Sequence, residues 1–383
     1  MRVAILVPSL GGGGAEFVAR EWARWLNASG VDIRLVVCGP VDPLLRPEGV
    51  QVHSILDKGF IRRLLAVRRY AASSRLDIIL GLMPYFNLLA LISQVGRIRG
   101  RARVVISGRN VEVPLRKIFG FKFRAIQAIA KICYPFADAY IAISHTVAAE
   151  AAALYRIEPK NIYVVPNPAT AKVDVRSAHS SIKRSRDTLA SQNALNLVVP
   201  ARLVEQKRPH IAVLVASELG KNVEHVEVHF FGVGPLESEI QQLAQACSVS
   251  VKFHGWVEAW FEECPPNSVV LLASLAEGFG NVLVEAASVG IPSVVSSRCL
   301  GSSDAIVPGL TGELCAGDSV NDYAEAVLAA ADLTMSGAES AWLSRFTLES
   351  SGNRVLRVLR DVYNNGERTE IVPLTVELAD RSE

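Results

Sequence analysis

Apolar and polar positions along this chain alternate between two periods. Short apolar runs bounded by turn residues recur at Arg2 to Pro8, Val31 to Cys38, Asp77 to Leu80, Val104 to Ser107 and Ala139 to Ile143. Runs of that length predict strands. Segments with helical spacing lie between them: Glu16 to Ser29, Ile61 to Arg75, an apolar stretch ending near Val95, Leu115 to Phe136, and Ser144 to Tyr155. Gln51 to Ile55 and Asn161 to Val165 add two short strands. Strand, glycine loop, helix is how a doubly wound α/β domain opens. Residues 170 to 194 are polar, have little periodicity and read as a connection. The pattern then restarts. Strands are predicted from Asn196, at Glu227 to Phe231, Val251 to His254, Val269 to Ser274 and Ser293 to Ser297. Helices are predicted at Pro209 to Leu219, up to Cys247, at Asn281 to Val289, and late in the chain at Val320 to Ala331 and Leu348 to Tyr363. The expectation is two α/β domains, which also fits 383 residues at about 150 per domain. Their predicted limits are 1–168 and 196–345, with a linker at 169–195, a terminal helix at 346–363 and a polar, mobile tail at 364–383.

The most informative stretch is Glu277-Gly-Phe-Gly-Asn-Val-Leu-Val-Glu285. It follows a predicted strand and enters a predicted helix, with Asn281 as N-cap and Gly290 and Pro292 ending it. Glu277 then sits on the loop, and Glu285 one turn inside the helix. Glycines at 278 and 280 allow close approach to the backbone. Carboxylates beside a helix start suit polyhydroxy ligands, because ionised oxygens accept strong hydrogen bonds from hydroxyls. The competing reading is that both acids only complement the helix dipole. The loop Leu10-Gly-Gly-Gly-Gly-Ala-Glu16 exposes amides suited to phosphates or sugars, or else is a tight packing turn. It is not a dinucleotide fingerprint, because Glu16 and Phe17 stand where the last glycine is required. Arg202 and Lys207 are five positions apart across a turn and can converge on one diphosphate.

Glu-x7-Glu within EGFGNVLVEAASVGIPSVVSS resembles the signature of glycosyltransferase family 4, and the likeness extends more weakly over residues 1 to 363. The resemblance implies a GT-B fold: two Rossmann-like doubly wound domains facing a cleft, with the last helix crossing back to the first domain. It implies a retaining, nucleotide-sugar-dependent transferase. Glu277 and the amides of Phe279, Gly280 and Asn281 would hold the transferred sugar, and Glu285 the ribose. Arg202 and Lys207, in an Arg-Leu-x-x-x-Lys-like element, would neutralise the leaving diphosphate. Gly12 and Gly13 would line the cleft beside the donor phosphates, and the loop at Trp256 and Val257 would receive the nucleobase. Family members often carry a histidine near Arg109; here Arg109, Asn110 and Glu112 occupy that loop. Arg109 is a candidate phosphate clamp, Glu112 a candidate acceptor base, and His145 a candidate for lining the cleft. Ala201 and Arg208 stand where the family often has glycine, and Ser302, Ser303 and Asp304 replace a Gly-Gly and Glu element.

Charge adds a partner. Residues 60–131 hold 15 Lys or Arg against two acids, a local net of +13, whereas the whole chain is +2 and the remainder therefore −11. An anionic partner for the first half follows. Basic residues interleaved with Phe119, Phe121 and Phe123 suit an anionic membrane surface, or form an ordinary solvated helix. No nucleic-acid motif is present. No apolar run reaches the roughly 18 residues of a membrane span. The six cysteines include no Cys-x-x-Cys pair, and the histidines form no metal pattern. Neither cofactor nor metal is expected, and residence is expected to be cytoplasmic, peripheral at the inner membrane face. The expected acceptor is a lipid-diphosphate-linked glycan and the expected donor a UDP-sugar. A nucleotide-sugar 2-epimerase and a non-catalytic partner in a membrane assembly complex are the alternatives.

Overall fold

A computed structural model describes residues 1–11, 13–97, 100–173, 194–335 and 339–364. Gly12, most of the predicted linker and the tail beyond Asn364 lie outside the described residues.

The first domain is a seven-stranded sheet in the order β3-β2-β1-β4-β5-β6-β7. Its strands are β1 Arg2–Val7, β2 Asp32–Val37, β3 Gln51–Ser54, β4 Ile78–Leu82, β5 Arg103–Gly108, β6 Ala139–Ala142 and β7 Ile162–Val164. Every pairing is parallel. The helices are α1 Gly14–Ala28, α2 Phe60–Ser73, α3 Pro84–Ser93, α4 Arg116–Cys133 and α5 His145–Tyr155. The second domain repeats the plan with six parallel strands ordered β10-β9-β8-β11-β12-β13. These are β8 Ala194–Val199, β9 His225–Phe231, β10 Ser250–Gly255, β11 Ser268–Leu272, β12 Ser293–Ser296 and β13 Gly312–Cys315. Its helices are α6 His210–Leu219, α7 Glu237–Ala246, α8 Asn281–Ser288 and α9 Val320–Ala331. The short α10 Ser340–Leu343 and the long α11 Leu348–Tyr363 follow.

Both sheets reverse winding direction beside their first strand, between β1 and β4 and between β8 and β11. Crevices form at such points, outside the carboxyl ends of the strands. The loops after β1, β8 and β11 therefore occupy the positions where a ligand site is expected.

Three features hold the domains together. The amphipathic helix α11 buries Val355, Leu356, Leu359 and Val362 in the first domain's core. Trp22 donates its indole N–H to Ser351 Oγ at 2.9 Å, and Ser351 donates to the Pro166 carbonyl at 2.6 Å. Gly352 gives Trp25 its room, since a Cβ there would lie 2.3 Å from the indole. The second feature is a core shared between domains: Phe279 and Leu283 belong to one apolar cluster with Tyr155, Val147 and Phe346. Phe279 is fully buried against Phe346 at 5.3 Å between ring centroids, worth about 2 kcal/mol of apolar burial. The third is the Pro166-Asn167-Pro168 crossing, where the Asn167 side chain is buried.

Two local expectations change. Asn281 is the first helical residue of α8 and not its cap: Gly280, in the left-handed region at φ 91°, occupies the cap and makes no side-chain bond. The segment expected as one helix from Leu115 to Phe136 is interrupted at Gly120, where φ is 64° and ψ −149°. Only glycine adopts that conformation readily, and it splays Phe119 and Phe121 into solvent.

Candidate active site

The loop after β8 is held by its own side chains. Gln206 donates to the Ala276 carbonyl at 2.8 Å, and the Leu275 amide donates to the Gln206 carbonyl at 2.8 Å, so the β8 and β11 loops are stitched together. Arg208 sits in the left-handed region at φ 48°, a conformation that favours glycine. Its guanidinium compensates through a fork onto Asp318, at 2.9 and 2.7 Å, with further bonds to Tyr323 Oη and the Ala273 carbonyl. This fixes the turn that aims Lys207 at Glu277.

Lys207 Nζ is ion-paired to Glu277 Oε1, which also accepts from Ser274 Oγ at 2.7 Å. The pair is largely desolvated, with side chains 17% and 11% exposed. Arg202 is exposed at the same loop, and its charge acts on Glu16 of α1 across the cleft. Burial holds the Glu16 carboxyl above its ordinary range, opposed by Arg202, Arg20 and Arg109. Cations and carboxylates from both domains therefore face each other at the two winding reversals.

The Glu277 loop is seated against the first domain with no slack. A Cβ on Gly278 would lie 2.3 Å from the Arg109 carbonyl oxygen, and one on Gly301 would collide with the Glu277 carbonyl at 1.8 Å. Asn281 Oδ1 accepts from Asn167 Nδ2 at 2.8 Å, and Asn167 Oδ1 accepts from Arg109 Nη1 at 2.8 Å. A polar chain thus runs from β5 through the crossing segment to the start of α8. A Cβ on Gly14 would lie 3.6 Å from Asn281 Nδ2, which places the glycine loop after β1 opposite that helix start. Gly13 is the extended N-cap residue of α1; Gly12 lies outside the described residues.

Glu285 is 3% exposed. Its Oε2 accepts from the Trp260 indole N–H at 2.8 Å, and Lys172 Nζ stands 3.9 Å from Oε1. Burial pushes its carboxyl up, countered by Lys172 and the indole. The Lys172 ammonium also lies over the Phe17 ring, 4.8 Å from the centroid, so it joins α1 to α8. Trp256 is well exposed on the loop after β10, and Val257 packs on the small core around Trp260 and Phe231. The Phe279 side chain points into the shared core, which leaves only its backbone for a ligand.

The other candidates divide. Arg109 lies at the domain junction with its guanidinium 4.7 Å from the Trp22 ring centroid. Burial lowers its pKa to about 9, offset in part by Tyr140 and Glu16, so it remains a cation at neutral pH. Its Nε and Nη2 and the Asn110 Oδ1 have no hydrogen-bond partner among the described residues. Glu112 is not placed to act as a base on an acceptor. Its carboxylate is buried, accepting from Tyr155 and from Gln127 at 3.1 Å, among residues of α4 and α5. The carboxylate turns inward because those two donors satisfy it there. His145 does reach across the domains: its Nδ1 and its backbone amide both meet Asp304 Oδ2, at 2.7 and 2.8 Å, and Thr146 donates to the Leu300 carbonyl at 2.9 Å. Asp304 thereby complements the positive end of α5. Lys172, Asn167, Trp260 and Asp304 also belong to this junction, though none was among the expected site residues. All four act between segments apart in the chain, and Asp304 carried a signal, as a departure from the family pattern.

Residues 12–171 match the family described as Glycosyltransferase Family 4, and residues 182–335 match Glycosyl transferases group 1. A solved Anabaena protein, HepE in complex with UDP and glucose, superposes with a TM-score of 0.73 at 19% identity, over 94% of this chain and 99% of that one. This is the GT-B fold. Two curated relatives are transferases. A Campylobacter jejuni alpha-1,4-N-acetyl-D-galactosaminyltransferase, named for a diNAcBac-PP-undecaprenol-linked glycan, is 24% identical over 259 residues, 66% of this chain and 64% of that protein. The Salmonella typhimurium lipopolysaccharide 1,6-galactosyltransferase is 27% identical over 197 residues, 50% of this chain and 52% of that protein. The matches thus span between about half and two thirds of these relatives. Within the GT-B frame, the Lys207–Glu277 pair, Arg202 and the α8 start lie on the second-domain wall, and the glycine loop on the first. No helix among the described residues is long and apolar enough to cross a membrane.

Proposed function

We propose that this chain transfers a sugar from a UDP-sugar to a lipid-diphosphate-linked glycan, with retention of anomeric configuration and without a metal. The observation that carries the reading is the Lys207–Glu277 pair at the β8–β11 reversal, on the same loops as Arg202 and the α8 start that lies opposite the glycine loop. Arg202 and Lys207 neutralise charge that builds on the departing diphosphate, and the amides opening α8 add the helix dipole. Glu277 and the backbone at Phe279, Gly280 and Asn281 hold the transferred sugar. The free lone pairs of Glu285 Oε1, near Lys172, take the ribose hydroxyls. The leaving phosphate accepts the acceptor's proton as attack occurs on the face it vacates. The Campylobacter and Salmonella relatives are named for glycan acceptors that are lipid-linked or part of lipopolysaccharide, which supports a membrane acceptor. So do the exposed Phe119, Phe121, Ile129, Ile132 and Phe136 on and after α4, interleaved with Lys122, Arg124 and Lys131. This face would rest on an anionic bilayer from the cytoplasmic side.

The test is nucleotide release from UDP-, GDP- and ADP-sugars, with and without membrane lipid extract. Release from a UDP-sugar only when lipid is present is expected. Release without lipid, as free sugar and nucleotide, would replace the proposal with the epimerase reading. No release from any donor would leave a non-catalytic partner as the better account.

A further inference from the structure

At the end of the first sheet remote from the cleft, the amino ends of β1, β4 and β5 border a cavity of about 490 Å³. It is lined by Arg2, Arg75, Arg97, Arg101 and Arg103, with Asp77 as the lone acid among its lining residues and Tyr363 of α11 at its edge. The length of β1 separates this cavity from the glycine loop, about 20 Å at the usual rise per strand residue. It is therefore distinct from the site described above.

Five arginines line one hollow, and Asp77 is engaged by Arg2. Its Oδ2 accepts from the Arg2 backbone amide at 2.6 Å, and its Oδ1 lies 3.6 Å from the Arg2 guanidinium. Arg97 is spent on the carbonyls of Arg68 and Gly100, at 3.1 and 2.8 Å. Arg2 and Arg97 are thus fixed walls. The heads of Arg75, Arg101 and Arg103 have no protein acceptor among the described residues. Arg75 carries a second signal. It closes α2 in a left-handed conformation at φ 48°, with its amide on the Ala72 carbonyl and the Leu76 amide on the Ala71 carbonyl. Glycine is the ordinary residue at that position of a helix end. An arginine there accepts backbone strain and delivers a cation to the hollow. Planar forks converging on a concavity match the tetrahedral oxygens of a phosphate.

We infer that this hollow is a second anion site, taking a phosphate-bearing ligand on Arg75, Arg101 and Arg103. The same chemistry is offered by a soluble diphosphate and by a phospholipid headgroup, and two probes separate them. Inorganic pyrophosphate is titrated by calorimetry into full-length protein carrying Arg202→Ala and Lys207→Met, so that the cleft lacks both cations assigned to a diphosphate. Sedimentation then measures binding to phosphatidylcholine vesicles with and without phosphatidylglycerol. The test variant combines Arg75→Gly, Arg101→Gln and Arg103→Gln; the charge control replaces Arg46, Arg62 and Arg69, three exposed arginines of the same domain outside the hollow, with glutamine. Binding of either probe should fall about tenfold for each arginine removed and stay unchanged in the control. A loss for pyrophosphate assigns a soluble ligand, and a loss for phosphatidylglycerol vesicles assigns the headgroup. Binding of neither probe, or equal loss in control and variant, would overturn the site. If the triple variant fails to fold, the exposed Arg101→Gln alone should still weaken binding about tenfold, and no change there would also overturn it.

Discussion

Replacing Lys207 by methionine keeps most of the side-chain stem, one atom shorter, and removes its charge. In the folded protein this leaves Glu277, 11% exposed, without its cation. Stranding one partner of a buried pair costs about 3–5 kcal/mol. Ser274 still donates to Glu277 Oε1 at 2.7 Å, and both side chains touch solvent at one edge, so about 2–3 kcal/mol is expected here. Glu277→Gln strands a lysine instead, whose flexible stem can swing its ammonium into water; about 1 kcal/mol is expected. The double variant has no unpaired charge. It should unfold at a higher urea concentration than Lys207→Met alone, with a coupling of about 1–2 kcal/mol between the sites. Turnover should behave differently. Nucleotide release falls about 100-fold or more in Lys207→Met and is not restored in the double variant, because the cation facing the leaving group is absent from both. Urea midpoints by tryptophan fluorescence and nucleotide release on the same four proteins decide it. A double variant no more stable than Lys207→Met refutes the desolvated pair, and wild-type turnover in folded Lys207→Met refutes the role of the lysine.

Trp260→Phe removes the indole N–H from buried Glu285; about 1–2 kcal/mol of stability and about tenfold in nucleotide affinity should be lost, measured by calorimetry. Gly278→Ala places a methyl 2.3 Å from the Arg109 carbonyl and should lower the melting temperature while slowing turnover, since the two domains must separate locally. Arg208→Gly should be more stable than Arg208→Ala by about 1 kcal/mol, because both lose the fork onto Asp318 but only glycine relaxes at φ 48°. The hydrogen bonds from Arg208 hold the Asp318 carboxyl below its ordinary value of 3.8. Their contribution is complete above that value and disappears as pH falls through the lower folded value. The stability gap between wild type and Arg208→Gly should therefore narrow in acid urea titrations, and a gap independent of pH would refute the pairing.

Much of this molecule was legible in its sequence because parallel strands are buried on both faces and read as short apolar runs. Arg2–Val7 and Ser268–Leu272 are examples, and the loops after them could be placed at once. The Glu277 loop was legible because its glycines mark close contacts: Gly278 meets Arg109, and Gly280 takes a left-handed conformation. What the sequence hid depends on segments distant in the chain. Asn167 bonds to both Arg109 and Asn281, which lie 58 and 114 positions away, and no local pattern marks it. Glu112 misled for the same reason: its partners Tyr155 and Gln127 come from α5 and α4 and turn its carboxylate inward. The cap of α8 was misplaced by one residue because asparagine and glycine both suit that position, and the left-handed backbone selected Gly280.

The central claim is that the cleft between the domains holds a nucleotide sugar on Arg202, Lys207 and Glu285. Calorimetric titration of UDP, GDP and ADP into wild type, Arg202→Ala and Glu285→Gln tests it most directly. The account predicts that UDP binds, and that each variant, with an unchanged circular dichroism spectrum, binds it at least about tenfold more weakly. Failure of all three nucleotides to bind wild type, or equal affinity in all three proteins, would contradict it.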